Sequence, residues 1–242
     1  MRPSNLTRSG LVVIAFVMST QENLSCRLFL RLSCYRIDYK LMSKKKPPGV
    51  VAEAPADNSR VIETARLRLR MFRPEDLDDL AELFADPDVM RYVADGKPAG
   101  REEAGKALAS IIEHWRRRGF GRWAVEDKST QEFVGFGGLR TLLDMPEVVY
   151  HFARAHWGKG LATELARASL TYGFDEHGFD RIVAVAKPDN AASIHVMEKL
   201  GMHLELRTSY FGIDVVQYTI SADEFKSNDH GRRAQGAGVV SK

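Results

Sequence analysis

The sequence predicts a single α/β domain, of the α+β kind, over residues 61–225, and three observations predict it. Near its start, leucines alternate with basic residues, as in a half-buried strand. Two β-branched and aromatic runs flank a polar turn at 127–131, which reads as a hairpin. Beyond them, strand-like and helix-like runs succeed one another as far as Met202.

Taken in order, Leu67-Arg68-Leu69-Arg70-Met71 is the first strand, with its apolar residues at period two. Pro74-Glu75-Asp76 then sets a proline and two acids at a helix start, and Leu77, Leu80, Leu83 and Phe84 share one face. A second helix over 101–118 carries Ala104, Leu108, Ile111, Ile112 and Trp115 at helical spacing. The Gly/Pro-rich join over 92–100 is expected to be mobile. Arg122-Trp123-Ala124-Val125-Glu126 and the run 133–139 make the hairpin. A fourth strand begins at Val148, a helix opens after Gly160, and a fifth strand covers 181–186. A helix then leads to Met202, and strands near 204–210 and 215–220 close the sheet.

The 242 residues hold 35 Lys+Arg and 32 Asp+Glu, a net charge of +3 that is unevenly placed. Residues 1–46 carry nine basic and two acidic side chains, so this leader is +7 and the remainder −4. A mildly acidic domain gives no reason to invoke nucleic acid as a partner. The apolar run from Leu11 to Met18 is far shorter than the roughly 20 residues a bilayer requires, so no membrane anchor is expected. Three readings of the leader stand open: an upstream extension before Met42, an Arg-rich targeting segment, or a structured segment. Residues 1–60 are expected to be disordered leader and linker, residues 226–242 a flexible tail, and the location cytoplasmic. Both cysteines, Cys26 and Cys34, fall in the leader, which leaves the domain without a thiol nucleophile, disulfide or cysteine metal site.

The stretch Trp157-Gly158-Lys159-Gly160-Leu161-Ala162 lies between the strand-like run 148–152 and a helix-like run bearing Leu161, Leu165, Ala168 and Tyr172. The first N–H groups of a helix lack intrahelical partners and carry the positive end of its dipole. They attract phosphate, and glycines let it come close. The other reading is a helix start with two turn glycines. A Walker loop is excluded, because the lysine lies between the glycines and no Ser or Thr occupies the required place. A Rossmann fingerprint is excluded because Thr163 stands where its third glycine belongs. Thirty residues after Gly160 comes Asn190-Ala191-Ala192-Ser193, then Glu198-Lys199-Leu200-Gly201-Met202.

Gly-x-Gly-x-Ala opening a helix, followed by Asn-x-x-Ser and Glu-Lys-Leu-Gly-Met, resembles the GNAT acetyltransferases, and within them the RimJ/RimL-type branch. The resemblance starts at Thr64-Ala65-Arg66-Leu67-Arg68-Leu69-Arg70 and extends to Tyr218-Thr219-Ile220. It implies a GNAT fold: a mixed, mostly antiparallel sheet of about six to seven strands, splayed between the fourth and fifth and flanked by about four helices. It also implies an N-acetyltransferase that uses acetyl-CoA as co-substrate and no metal. Such an enzyme passes acetyl to a primary amine, on a protein N-terminus or a small molecule, by direct attack on the thioester. A monomer or homodimer is expected. The alternative on the same fold is a non-catalytic module that binds an acyl-CoA.

By that resemblance Phe152 and Arg154 pair with the pantetheine arm as a guest strand. The N–H groups of Trp157, Gly158, Lys159, Gly160, Leu161 and Ala162 receive the pyrophosphate, with the Lys159 charge beside it. Asn190 and Ser193 match the Asn-x-x-Ser that touches the arm, although as residues they serve equally as a helix N-cap and a local backbone bond. Two positions depart from the family: Ala155 replaces a Gln or Arg, and Met197 replaces the tyrosine that reprotonates the leaving thiolate. Ser193 or a water then supplies that proton, or the thiolate leaves unassisted. Glu147 matches a Glu-x-x-Tyr pattern and is the candidate base, its other reading being a solvated loop carboxylate. An α-amine, with pKa about 7.7–8.0, asks less of such a base than lysine near 10.4. His151 reads as a core or surface histidine, and Glu164 as a structural partner. The acceptor pocket is expected from the 92–100 join and the final hairpin.

Overall fold

The computed structural model describes residues 60–228; the expectations for 1–59 and 229–242 lie outside them. Among the described residues there are eight strands: β1 (Val61–Glu63), β2 (Leu67–Arg70), β3 (Arg122–Asp127), β4 (Phe133–Leu142), β5 (Met145–Phe152), β6 (Arg181–Ala186), β7 (His203–Tyr210) and β8 (Ile213–Ser221). They form one sheet in the order β1-β2-β3-β4-β5-β6-β8-β7, antiparallel throughout except for the pair β5 and β6. The helices are α1 (Leu77–Ala85), α2 (Pro87–Met90), α3 (Arg101–Arg118), α4 (Leu161–Asp175) and α5 (Ala191–Leu200), with a further helical segment at 222–228.

The sheet has more than the expected six to seven strands because β1 is only three residues long, too short for a period to show. Two short helical pieces likewise add to the four expected helices. One is α2, where Asp86 Oδ1 accepts the Asp88 N–H at 2.8 Å and Pro87 stands at the first helical position. The join after it is tied back, since the Ala99 N–H donates to the Phe84 carbonyl at 2.9 Å and Lys187 Nζ to that of Arg91 at 3.2 Å. The strand expected from Val148 begins instead at Met145, which takes Glu147 out of the preceding loop and into the sheet.

In β2, Leu67 and Leu69 are fully buried, as the alternation requires, but Arg70 is buried as well. Arg70 Nη1 and Nη2 grip both Asp76 carboxylate oxygens at 2.7 and 2.8 Å, and its Nε donates to Glu126. Asp76 Oδ2 also accepts the Arg73 N–H at 2.8 Å, fixing the start of the helical turn before α1. These two carboxylates raise the Arg70 pKa above its ordinary value against the opposing cost of burial. Arg70→Leu strands two largely buried carboxylates and is expected to cost about 3–5 kcal/mol of stability. Urea melts check this, and a loss below about 1 kcal/mol, the level of an exposed pair, would rule out the buried-network account.

The opening in the sheet follows from register. β4 and β5 pair continuously from Gly135↔Phe152 to Leu142↔Met145, whereas β5 and β6 meet only at Glu147↔Val183. Beyond that point the two parallel strands diverge, and the splay falls between the two strands expected from the sequence. Helix α4 lies directly on the sheet beside it. A Cβ at Gly137 would sit 2.6 Å from Leu165 Cδ2 and 2.5 Å from the Val149 carbonyl, so only glycine permits this approach. Leu170, Ile182, Met197, Leu200 and Ile220 fill one core cluster; Leu80, Phe84, Ile111, Trp115 and Trp123 belong to the other. Among the described residues no helix is long and apolar enough to cross a membrane.

Candidate active site

A cleft of about 590 Å³ occupies the divergence of β5 and β6. Its wall along β5 is a free strand edge. The Ala153 N–H donates to the Val134 carbonyl at 2.9 Å, so odd-numbered residues of β5 face β4. The N–H groups of Tyr150 and Phe152 therefore point into the opening. Trp157 Nε1 covers the Phe152 carbonyl at 2.7 Å, leaving an edge able to receive a guest strand.

At the head of α4, Gly160 is the N-cap and holds a left-handed backbone, φ 77°. A Cβ there would meet only Arg66 Nη2, at 3.7 Å, so the space beside this turn is open. That clearance fits a pyrophosphate. The loop is braced from the far end of the domain. Arg66 Nη1 donates to the Lys159 carbonyl at 2.8 Å and its Nε to Glu164 Oε2 at 2.7 Å. Glu164 Oε1 accepts from Thr64 Oγ1 at 2.6 Å and from the Arg66 N–H at 2.8 Å. Glu164 thus locks the turn between β1 and β2 onto the glycine loop.

Asn190 caps α5, its Oδ1 accepting the Ser193 N–H at 3.1 Å, and both residues also line the cleft. Tyr150 and Ser193 bring their hydroxyls to 2.9 Å, and Tyr150 also donates to the Ser193 carbonyl at 3.1 Å. Burial pushes the Tyr150 pKa up to about 12, against the lowering effect of Ser193, so the phenol keeps its proton. Met197 is packed in the core at the cleft floor.

Glu147 is 1 % exposed and accepts from Arg140 Nε at 2.5 Å, its cross-strand neighbour. It is neither in a loop nor solvated. The pleat sets Glu147, Val149 and His151 on one face of β5 and Val148, Tyr150 and Phe152 on the other. Glu147 and the Tyr150–Ser193 pair consequently reach the opening from opposite faces.

His151 stacks on Phe136 with centroids 4.6 Å apart. Burial first, then the charges of Arg140 and Arg122, pull its pKa down to about 3. His114 on α3 is lowered to about 4, chiefly by burial, and its ring nitrogens meet the Phe120 carbonyl at 2.9 Å and Thr141 Oγ1 at 3.3 Å. Both folded pKa values lie below the unfolded value near 6.5, so the unfolded chain binds more protons in between. Their stability contribution is complete above about pH 6.5 and is lost as pH falls toward 4 and then 3. Near pH 5 unfolding should take up roughly two protons from this pair, a slope of about 2.7 kcal/mol per pH unit. Urea melts between pH 7 and 4.5 check it: His151→Leu should remove about half of that slope, and an unaltered slope refutes the assignment.

Of the residues expected at the site, Glu147, Phe152, Trp157, Gly158, Gly160, Leu161, Ala162, Asn190 and Ser193 all line the cleft. Arg154 and Lys159 do not: Arg154 sits in a short 3-10 turn and pairs with Asp88, and Lys159 contributes its carbonyl to Arg66. Tyr92, Val93 and Ala94 of the join line the cleft, as do Tyr210, Phe211 and Ile213 of the final hairpin. The turn joining β7 and β8 has Phe211 and Gly212 both left-handed, φ 54° and 78°, the geometry of a tight hairpin. In the sequence Tyr150 figures only as the last residue of the Glu-x-x-Tyr pattern, with no role of its own, and nothing local reveals the Arg66 brace. Alternation along 148–152, which puts Tyr150 on the Val148 face, was the available signal for the first.

A strand edge open beside a helix start cleared for phosphate is the arrangement of an acyltransferase that takes a coenzyme A thioester. The family model for the Acetyltransferase (GNAT) domain matches residues 66–203, and the chain belongs to the GNAT acetyltransferases, whose members use acetyl-CoA. It is 40% identical over 153 residues to the uncharacterized protein YkkB of Bacillus subtilis, a span of 58% of this chain and 83% of that one. A solved GNAT-family acetyltransferase from Bacillus anthracis matches with TM-score 0.60 and 27% identity, over 68% of this chain and 99% of that chain. RimL, a ribosomal L7/L12 alpha-N-protein acetyltransferase solved in complex with coenzyme A, shares the fold at TM-score 0.58 and 19% identity, over 68% and 99%.

Proposed function

We propose that this protein is an acetyl-CoA-dependent N-acetyltransferase of the RimJ/RimL-like kind, acting on a primary amine by direct attack on the thioester. The observation that carries the reading is the pair of proton-handling groups at one opening, Glu147 on one face of β5 and the Tyr150–Ser193 hydroxyls on the other. The free edge of β5 aligns the pantetheine arm, and the head of α4 holds the pyrophosphate. Glu147 draws the proton from the attacking amine through water as the C–N bond forms. The Phe152 N–H supports the carbonyl oxygen while it carries negative charge. As the C–S bond breaks, the Ser193 hydroxyl passes a proton to the sulfur while taking one from water, and Tyr150 orients that hydroxyl. The pattern from Thr64 through Asn190 and Ser193 supports the branch.

Thiol release from acetyl-CoA against a panel of amines tests the reading. Amine-dependent release is the expected result. Acetyl-CoA binding without release for any amine favours the non-catalytic acyl-CoA module instead.

A further inference from the structure

We propose that the acceptor is an amine carrying an anionic group, a carboxylate or a phosphate, and that Arg122 and Arg140 receive that group; this rests on the transferase reading above. The two arginines stand on adjacent strands beside the candidate base. Arg122 of β3 pairs with Gly138, two residues before Arg140 on β4, and Arg140 is the cross-strand neighbour of Glu147. Arg122 is 8 % exposed, and both arginines line the cleft. An amine placed to give its proton to Glu147 therefore has two guanidinium groups close by. Their planar forks of N–H donors match a carboxylate or phosphate.

The surrounding wall has the same character. Ser110 and His114 reach it from α3, and His151 from β5. His151 Nδ1 is enclosed and meets no hydrogen-bonding partner among the described residues. Both imidazoles are held neutral by burial, and the charges of Arg122 and Arg140 reinforce the effect at each. Four Lys or Arg side chains line the cleft (Arg122, Arg140, Lys187 and Lys199) against two carboxylates, Asp88 and Glu147. Asp88 pairs with Arg154 and Glu147 with Arg140. A polyamine, cationic along its length, meets the wrong sign of charge here. An amine with an anionic arm places each end against its complement.

Matched acceptor pairs test this with the full chain: an α-amino acid against its amide, O-phosphoethanolamine against ethanolamine, and spermidine as the polycation. Thiol release is measured over a range of pH and compared at equal free-amine concentration. At least one anionic member should exceed its neutral partner in kcat/KM by about tenfold or more. The amino-acid and phosphate arms tell which anion is recognised. Arg122→Gln should shrink that ratio to about threefold or less, with acetyl-CoA affinity by calorimetry unchanged, and Arg122→Lys should restore part of it. The parent ratios decide the matter even if Arg122→Gln fails to fold. Neutral amines or spermidine turning over as well as the anionic members overturn the acceptor proposal and leave the transferase reading standing. Binding of acetyl-CoA with no thiol release for any amine overturns both.

Discussion

Glu147→Gln is expected to lower kcat by about 10²–10⁴-fold with little change in acetyl-CoA affinity. Glutamine keeps the size of the side chain and can still accept from Arg140, so the sheet around the single β5–β6 bridge should hold. What it loses is the capacity to accept the amine proton. The deficit should shrink as pH rises toward the acceptor's own pKa, because free amine then becomes abundant without help. A pH–rate profile that runs parallel to the parent at every pH would remove Glu147 as base. Calorimetry on the same variant separates this from a cofactor effect, since Glu147 lies on the face of β5 away from Tyr150 and Ser193.

Gly160→Val is expected to weaken acetyl-CoA binding by at least about 100-fold while the domain still folds. Each hydrogen bond to a charged group contributes about 1.5–3 kcal/mol, so a side chain that holds the pyrophosphate off two N–H groups suffices. The added Cβ meets only Arg66 Nη2 at 3.7 Å, so the penalty to the apo fold is chiefly the left-handed backbone, about 1–2 kcal/mol. The valine branches then project into the space above the helix start. Titration of a folded Gly160→Val protein with parental affinity would place the phosphate elsewhere.

The two variants probe residues of different legibility. Gly160 declares itself in the sequence, because a left-handed N-cap between a strand and a helix depends on residues only a few positions away. Glu147 reads equally as a base or as a solvated loop carboxylate ahead of the fourth strand, because Asp144-Met145-Pro146 carries turn-forming residues. Leu143 and Asp144 do take left-handed turn conformations, but pairing with β4 continues through Pro146 and Met145 and draws Glu147 into the sheet. Arg70 is a similar case: alternation along 67–71 does not reveal that it is buried. Asp76 is six residues away and Glu126 fifty-six, and only the folded chain brings both to it.

The sequence by itself determined the order of the longer strands and helices, the glycine-led start of α4, the Asn190 cap and the family resemblance. All of these rest on periodicity and turn chemistry within a few residues, or on motifs in fixed order. Tertiary structure alone decided the rest. It made the divergence of β5 and β6 after Glu147↔Val183, the brace from Arg66 to Glu164 across 98 residues, and the meeting of Tyr150 with Ser193 across 43. It also decided that Arg154 turns to Asp88 while Arg122 and Arg140 flank the candidate base. The physical reason is that a side chain's burial and partners depend on which distant strand lies alongside and which face the pleat presents, and local periodicity carries neither.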